Sequence, residues 1–112
     1  MPAKPFLGEF EQMVLLAIVK HENAASGVEI SRELEESAGR SVARGALYTT
    51  LDRLERKGLL RWRLDPGGPQ RSDLPKRRFT VRPKGIAALR ATRGALLRLW
   101  DGTEGLLGEP GR

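Results

Sequence analysis

A chain of 112 residues leaves room for one domain with a modest core, and a partner subunit would relieve its unfavourable surface-to-volume ratio. The absence of cysteine excludes disulfides, thiolate catalysis and thiolate metal sites, and suits a reducing, cytoplasmic setting. Mean hydropathy is −0.41, the apolar run from Met13 to Val19 is too short to span a bilayer, and the opening MPAKPFLGEFEQ does not read as a signal peptide.

The formal charge of +6 is unevenly spread. Residues 1–37 carry three Lys or Arg against seven Glu, a net of −4. Residues 38–100 carry sixteen against four acids, a net of +12, and residues 101–112 carry a net of −2. The basic middle is the electrostatic footprint expected for a polyanionic partner.

In chain order, Gly8 to about His21 reads as a helix, with Phe10, Met13, Val14, Ala17 and Ile18 at helical spacing. Leu15, Leu16 and Val19 widen the apolar surface beyond one stripe, which calls for burial on two sides and makes a second chain a candidate cover. Ser26-Gly27-Val28-Glu29 matches a capping box and opens a second helix to about Ser37, with Val28, Ile30 and Leu34 inward and Gly39 as the left-handed stop. A third helix runs from about Arg44 to Lys57 on a seam of Leu47, Leu51 and Leu54, and Gly58 ends it.

Alternation follows. Leu60, Trp62 and Leu64 point one way and Arg61 and Arg63 the other, and Phe79 and Val81 repeat the pattern against Arg78, Thr80 and Arg82. Two such strands make a hairpin with an apolar underside and a long Gly- and Pro-rich tip over Asp65 to Arg77. Pro83 opens a last helix to about Trp100, and the Gly-rich tail beyond is expected to fray.

This order gives a mainly α fold with a small β hairpin, a winged helix-turn-helix over residues 1–82, a dimerisation helix over 83–101 and a tail over 102–112. The third helix would enter the major groove, whose width admits one helix. With its leucines inward, Arg44, Gly45, Thr49, Asp52, Arg53 and Arg56 face outward; Thr49 can offer a hydroxyl or methyl to a base edge, and Arg44 or Arg53 can reach guanine or phosphate. Gly45 costs about 1 kcal/mol in a helix relative to Ala, which either close approach to a phosphate or a tight helix contact would justify. Tyr48 borders both faces and suits a phosphate contact or a place at the core rim. Asp52 would repel phosphate and is expected to pair with Arg53 or Arg56. In the wing, Arg71, Lys76, Arg77 and Arg78 are candidate contacts to double-stranded DNA.

Gly45-Ala46-Leu47-Tyr48, Leu51-Asp52-Arg53-Leu54-Glu55 and Lys57-Gly58-Leu59-Leu60 together resemble the PadR family signature. Leu7 to Glu11, Gly27 to Ile30 and the block from Lys76 to Gly85 are similar to other parts of that family, so the resemblance covers about residues 7–90. Ala43 and Arg44 stand where the family usually has Ser or Thr and then Pro, Thr49 where a proline is common, and Arg82 where a Thr would cap the last helix, so base preference is not carried over. The resemblance implies a homodimeric transcriptional repressor that pairs through its first and last helices. Phe10, Val14, Ile18, Leu89, Leu96 and Trp100 are the expected dimer contacts. It also implies, for the smaller subgroup that this chain looks like, a small aromatic effector at the dimer interface on a residue such as Trp100. Plain packing of Trp100 against a partner is the alternative.

Other classes fit less well. His21 is the one imidazole, Glu33, Glu35 and Glu36 read as a solvated helix face, and no phosphate loop follows a strand, so neither an enzyme nor a cofactor is indicated. A winged-helix module meeting an acidic protein would share the basic wing. An RNA binder would want more exposed aromatics for stacking.

Overall fold

The structure, a computed structural model, describes residues 6–69 and 74–109. Its elements are α1 (Glu9–Lys20), α2 (Gly27–Ala38), α3 (Arg44–Arg56), β1 (Leu60–Asp65), β2 (Lys76–Val81), α4 (Pro83–Trp100) and α5 (Glu104–Leu107). The expected order is observed: three helices, an antiparallel hairpin and a long last helix, a mainly α winged-helix fold. None of the described helices is long and apolar enough to cross a membrane.

The local signals behave as their chemistry requires. Ser26 Oγ accepts the Glu29 N–H at 3.3 Å while Glu29 Oε1 accepts the Ser26 N–H at 2.9 Å, closing the capping box of α2. Gly39 takes φ of 62° just past the last turn, where a side chain would be strained. Leu47, Leu51 and Leu54 are buried along one seam of α3. The tail is more ordered than its glycines suggest, because α5 forms one short turn of helix before residue 108.

The core forms where α1 passes beneath α2, α3 and β2, with Val14, Leu15, Ile18, Ile30, Leu51 and Phe79 fully enclosed. Val14 and Ile18 are therefore inside the protomer and cannot meet a partner chain. A helix apolar over most of its circumference does not declare which stripe faces inward, and here Leu16 and Val19 are the ones left on the outside. Val28 is likewise outside, 67% exposed, since the inward face of α2 is carried by Ile30 and Leu34. In the hairpin Leu60, Phe79 and Val81 are buried, whereas Trp62 and Leu64 on β1 stay open, at 38% and 59% exposed.

Two connections escape sequence periodicity because each rests on one residue. Ala25 makes a bridge to Phe79, donating to its carbonyl at 3.1 Å and accepting its N–H at 2.8 Å, so β2 is paired on both edges. Asn23, at φ of 56°, clasps Val81 with both ends of its amide, Oδ1 accepting the Val81 N–H at 2.8 Å and Nδ2 donating to the Val81 carbonyl at 3.1 Å. The loop after α1 is thereby fixed to the wing. On the far side, α4 lies close against the strand entry because Gly85 has no side chain: a Cβ there would run into the carbonyl of Leu59 and the side chain of Val81.

Both fixings can be checked by urea denaturation. Asn23→Ala removes two hydrogen bonds and leaves a buried backbone pair open, and should cost about 1–3 kcal/mol. Gly85→Ala should cost a similar amount, about 1–3 kcal/mol, through overpacking against backbone. A Gly85→Ala variant as stable as the parent would show that α4 can slide away from Leu59.

Candidate nucleic-acid interface

The site is built on the first turns of α3 and the adjoining strand of the wing. Ala43 supplies no side-chain cap and the first turn of α3 holds no acidic residue, so its free N–H groups and Arg44 share one positive end. Gly45 is exposed and nothing lies within 4 Å of where its Cβ would be. A tight helix contact therefore does not explain this glycine, and the open backbone is consistent with close approach of an outside group. Thr49 is exposed one turn further on.

Tyr48 sits at the rim. Its hydroxyl fits into the space left by Gly27 at the start of α2, and its ring meets Phe79 edge-on at 6.2 Å. The outer side of this aromatic pair carries cations: the guanidinium of Arg44 is 5.7 Å and that of Arg77 is 5.8 Å from the Tyr48 ring centre. Arg77 also lies 4.6 Å over Trp62. Strand alternation explains the grouping, because Arg77 and Phe79 share one face of β2 while Arg78 points from the other. Lys76, exposed at the start of β2, completes a shallow basic pocket with Arg44, Tyr48, Leu64, Pro75 and Arg77.

The other expected contacts have different roles. Arg78 is a structural clamp: it bonds Glu29 at 2.8 Å, Asp65 at 3.1 Å and the carbonyl of Ala24 at 3.4 Å, tying wing to α2. Arg53 is turned to Glu11 at 3.4 Å, and Lys57 joins the same carboxylate at 2.9 Å, so both bind α3 to α1. Asp52 pairs with neither Arg53 nor Arg56; its partner is Arg77 of the wing, at 3.8 Å. Arg71 lies outside the described residues. His21 and Lys20 meet Glu33, at 3.2 and 3.0 Å, and Ser37 donates to the same carboxylate, an ion-pair cluster between α1 and α2. Among the described residues no group of acids and histidine could hold a metal.

The clamps shift their own titration. The Ser26 N–H, with Arg78 assisting, holds the Glu29 carboxyl below its ordinary value, and the Gly67 N–H with Arg78 does the same for Asp65. Burial tends to raise Glu11, but Lys57, the Gly8 N–H and Arg53 outweigh it and leave that group lowered as well.

A second surface lies between α1 and α4. Leu16 and Val19 of α1 face Ile86, Leu89, Leu96 and Trp100 of α4 across an open apolar groove of about 500 Å³. Phe10 is half-buried under Arg40, which stacks 4.9 Å from its ring.

The profile of the transcriptional regulator PadR-like family matches residues 15–91. The chain belongs to that family. A PadR family transcription regulator from hypervirulent Clostridium difficile shares the fold at a TM-score of 0.71 and 19% identity, with 90% of this chain and 100% of that one covered. A PadR family transcriptional regulator from Eggerthella lenta gives 0.66 at 27% identity, covering 92% and 88%. Bacillus subtilis PadR in complex with operator DNA gives 0.61 at 21% identity, covering 73% of this chain and 46% of that one. No curated protein matches the chain. Arg44 and Thr49 stand at the open end of α3, and the Asp52–Arg77 pair joins this helix to the wing from positions far apart in sequence.

The Arg78 clamp gives a pH signature. A carboxyl lowered by folding adds stability that is fully present above its unfolded value and is lost as pH falls through the folded one. Glu29→Gln keeps the shape and removes the charge, so it should destabilise the protein at pH 7 by about 1 kcal/mol or less, as a partly exposed pair allows. The gap to the parent should close in acid, below the ordinary carboxylate range. Denaturation midpoints compared at pH 7 and pH 3 read this directly; a gap unchanged at pH 3 would mean the clamp is not electrostatic.

Proposed function

We propose that this PadR-like chain is a sequence-specific repressor that binds double-stranded DNA as a homodimer, laying α3 in the major groove with the wing alongside. The observation that carries the reading is the uncapped, acid-free start of α3, where Arg44, Gly45 and Thr49 are exposed beside Arg77 and Lys76. An open helix end attracts phosphate, and side chains from the same turn reach base edges. The operator complex of Bacillus subtilis PadR, which has the same fold, supports it.

Dimerisation is argued from the second surface. Leu16, Leu96, Leu97, Leu99 and Trp100 are exposed on α1 and α4, an apolar area that a second copy would cover. A flat aromatic effector would enter the groove beside Trp100 in the dimer and release the operator by shifting the two halves; packing of Trp100 against the partner serves dimerisation alone.

The test uses a duplex from the chain's own upstream region, or one selected from a random pool. Affinity should fall with salt at a log–log slope of about −0.9 for each phosphate neutralised. Arg44→Ala or Thr49→Ala should change preference among operators by about 1–3 kcal/mol, whereas Lys76→Ala should weaken all duplexes alike and lower the salt slope by about one phosphate. Weak, salt-insensitive binding would contradict the reading and favour an acidic protein partner. Trp100→Ala should raise the dimer dissociation constant in sedimentation; an unchanged constant removes Trp100 from the interface.

A further inference from the structure

The outward stripe of α3 holds a carboxylate in a place where phosphates would surround it. Asp52 follows Tyr48 by four residues and Thr49 by three, so the three share one side of the helix. Both members of its ion pair are open to solvent, Arg77 at 41% and Asp52 at 55%, and the separation of 3.8 Å is long. Such a pair contributes little and exchanges readily. Arg77 has other contacts besides this pair, its guanidinium lying 4.6 Å over the Trp62 ring and 5.8 Å from that of Tyr48.

We propose that Asp52 is a base-reading residue that Arg77 keeps masked until a backbone phosphate takes the arginine over. The inference rests on the DNA-binding reading of α3. The phosphate replaces one anion with another at a guanidinium that also contacts the two aromatic rings. The freed carboxylate is an acceptor alone and needs a donor; the major groove offers the N4 amine of cytosine and the N6 amine of adenine, and cytosine is favoured because adenine sets its N7 acceptor beside the amine, where it repels a carboxylate. At a position offering only acceptors, such as guanine O6 and N7 or thymine O4, Asp52 loses its cation and gains nothing, so the exchange is unfavourable. The pair thereby makes a phosphate contact conditional on the base beside it.

The experiment compares the parent chain, Asp52→Ala, Arg77→Ala and the double variant by fluorescence anisotropy. The duplexes are an operator selected from a random pool, its full set of single-base substitutions and an unrelated sequence. The parent should prefer cytosine at one position about tenfold, Asp52→Ala should lose that preference alone, and Arg77→Ala should keep it while binding every duplex more weakly. Asp52→Ala should also tighten binding to the unrelated duplex several-fold, and in the double variant the cytosine preference should be absent as well. Base preferences identical in parent and Asp52→Ala would overturn the proposal and leave Asp52 a simple repulsive charge. Failure of all four proteins to bind any duplex would strike the DNA-binding reading itself, and this inference with it.

Discussion

Phe79 is the contact on which the arrangement depends. Its ring is enclosed in the core and touches Tyr48 edge-on, while its backbone is paired with Trp62 on one side and Ala25 on the other. One residue thus joins the loop before α2, helix α3 and both strands of the wing. An aromatic of this size buries enough apolar surface to hold such a junction, and its loss would cost several kcal/mol (about 3–5) by cavity formation.

From that junction the division of labour among the basic residues follows. Along β2 the side chains alternate, so the neighbours of Phe79 have different fates. Arg78 turns toward α2 and is used up by Glu29, Asp65 and a backbone carbonyl. Arg77 shares the face of Phe79 and continues the aromatic stack outward, over Tyr48 and Trp62. Between the wing and α3, the contacts of Arg77 and Phe79 with Tyr48 are therefore aromatic, edge-on and cation–π, and among the described residues the one ion pair, Asp52–Arg77, is open to solvent. A surface built this way can trade Asp52 for a phosphate without refolding.

Much of this was legible in the residues. The Ser26–Glu29 box, the left-handed Gly39, the leucine seam of α3 and the alternation in the hairpin each carry a local signal whose cause is within a few positions, and the element order follows from them. What could not be read depends on neighbours distant in sequence. The first helix is apolar nearly all round, so periodicity does not say that Val14 and Ile18 face inward and Leu16 and Val19 outward. The alternation separates Arg77 from Arg78 but does not reveal that Glu29 waits on one side and Trp62 on the other. Ala25 and Asn23 act singly and have no period at all. Glu22 and Asn23 both take a φ of 56°, a conformation that asparagine tolerates better than most residues, where this loop turns back to the wing.

Two surfaces of the molecule differ in chemistry: cations and an open helix end at α3 and the wing, and between α1 and α4 a mainly apolar groove that Arg90 and Arg93 also line. The account assigns nucleic acid to the first and a second copy to the latter. Amide chemical-shift mapping during titration with a short operator duplex tests that assignment most directly. The account predicts the largest shifts at Arg44 to Thr49 and at Lys76 and Arg77, with the Glu33 cluster and the α1–α4 groove little changed. Shifts concentrated on Leu16, Val19 and the second half of α4, with α3 silent, would contradict it.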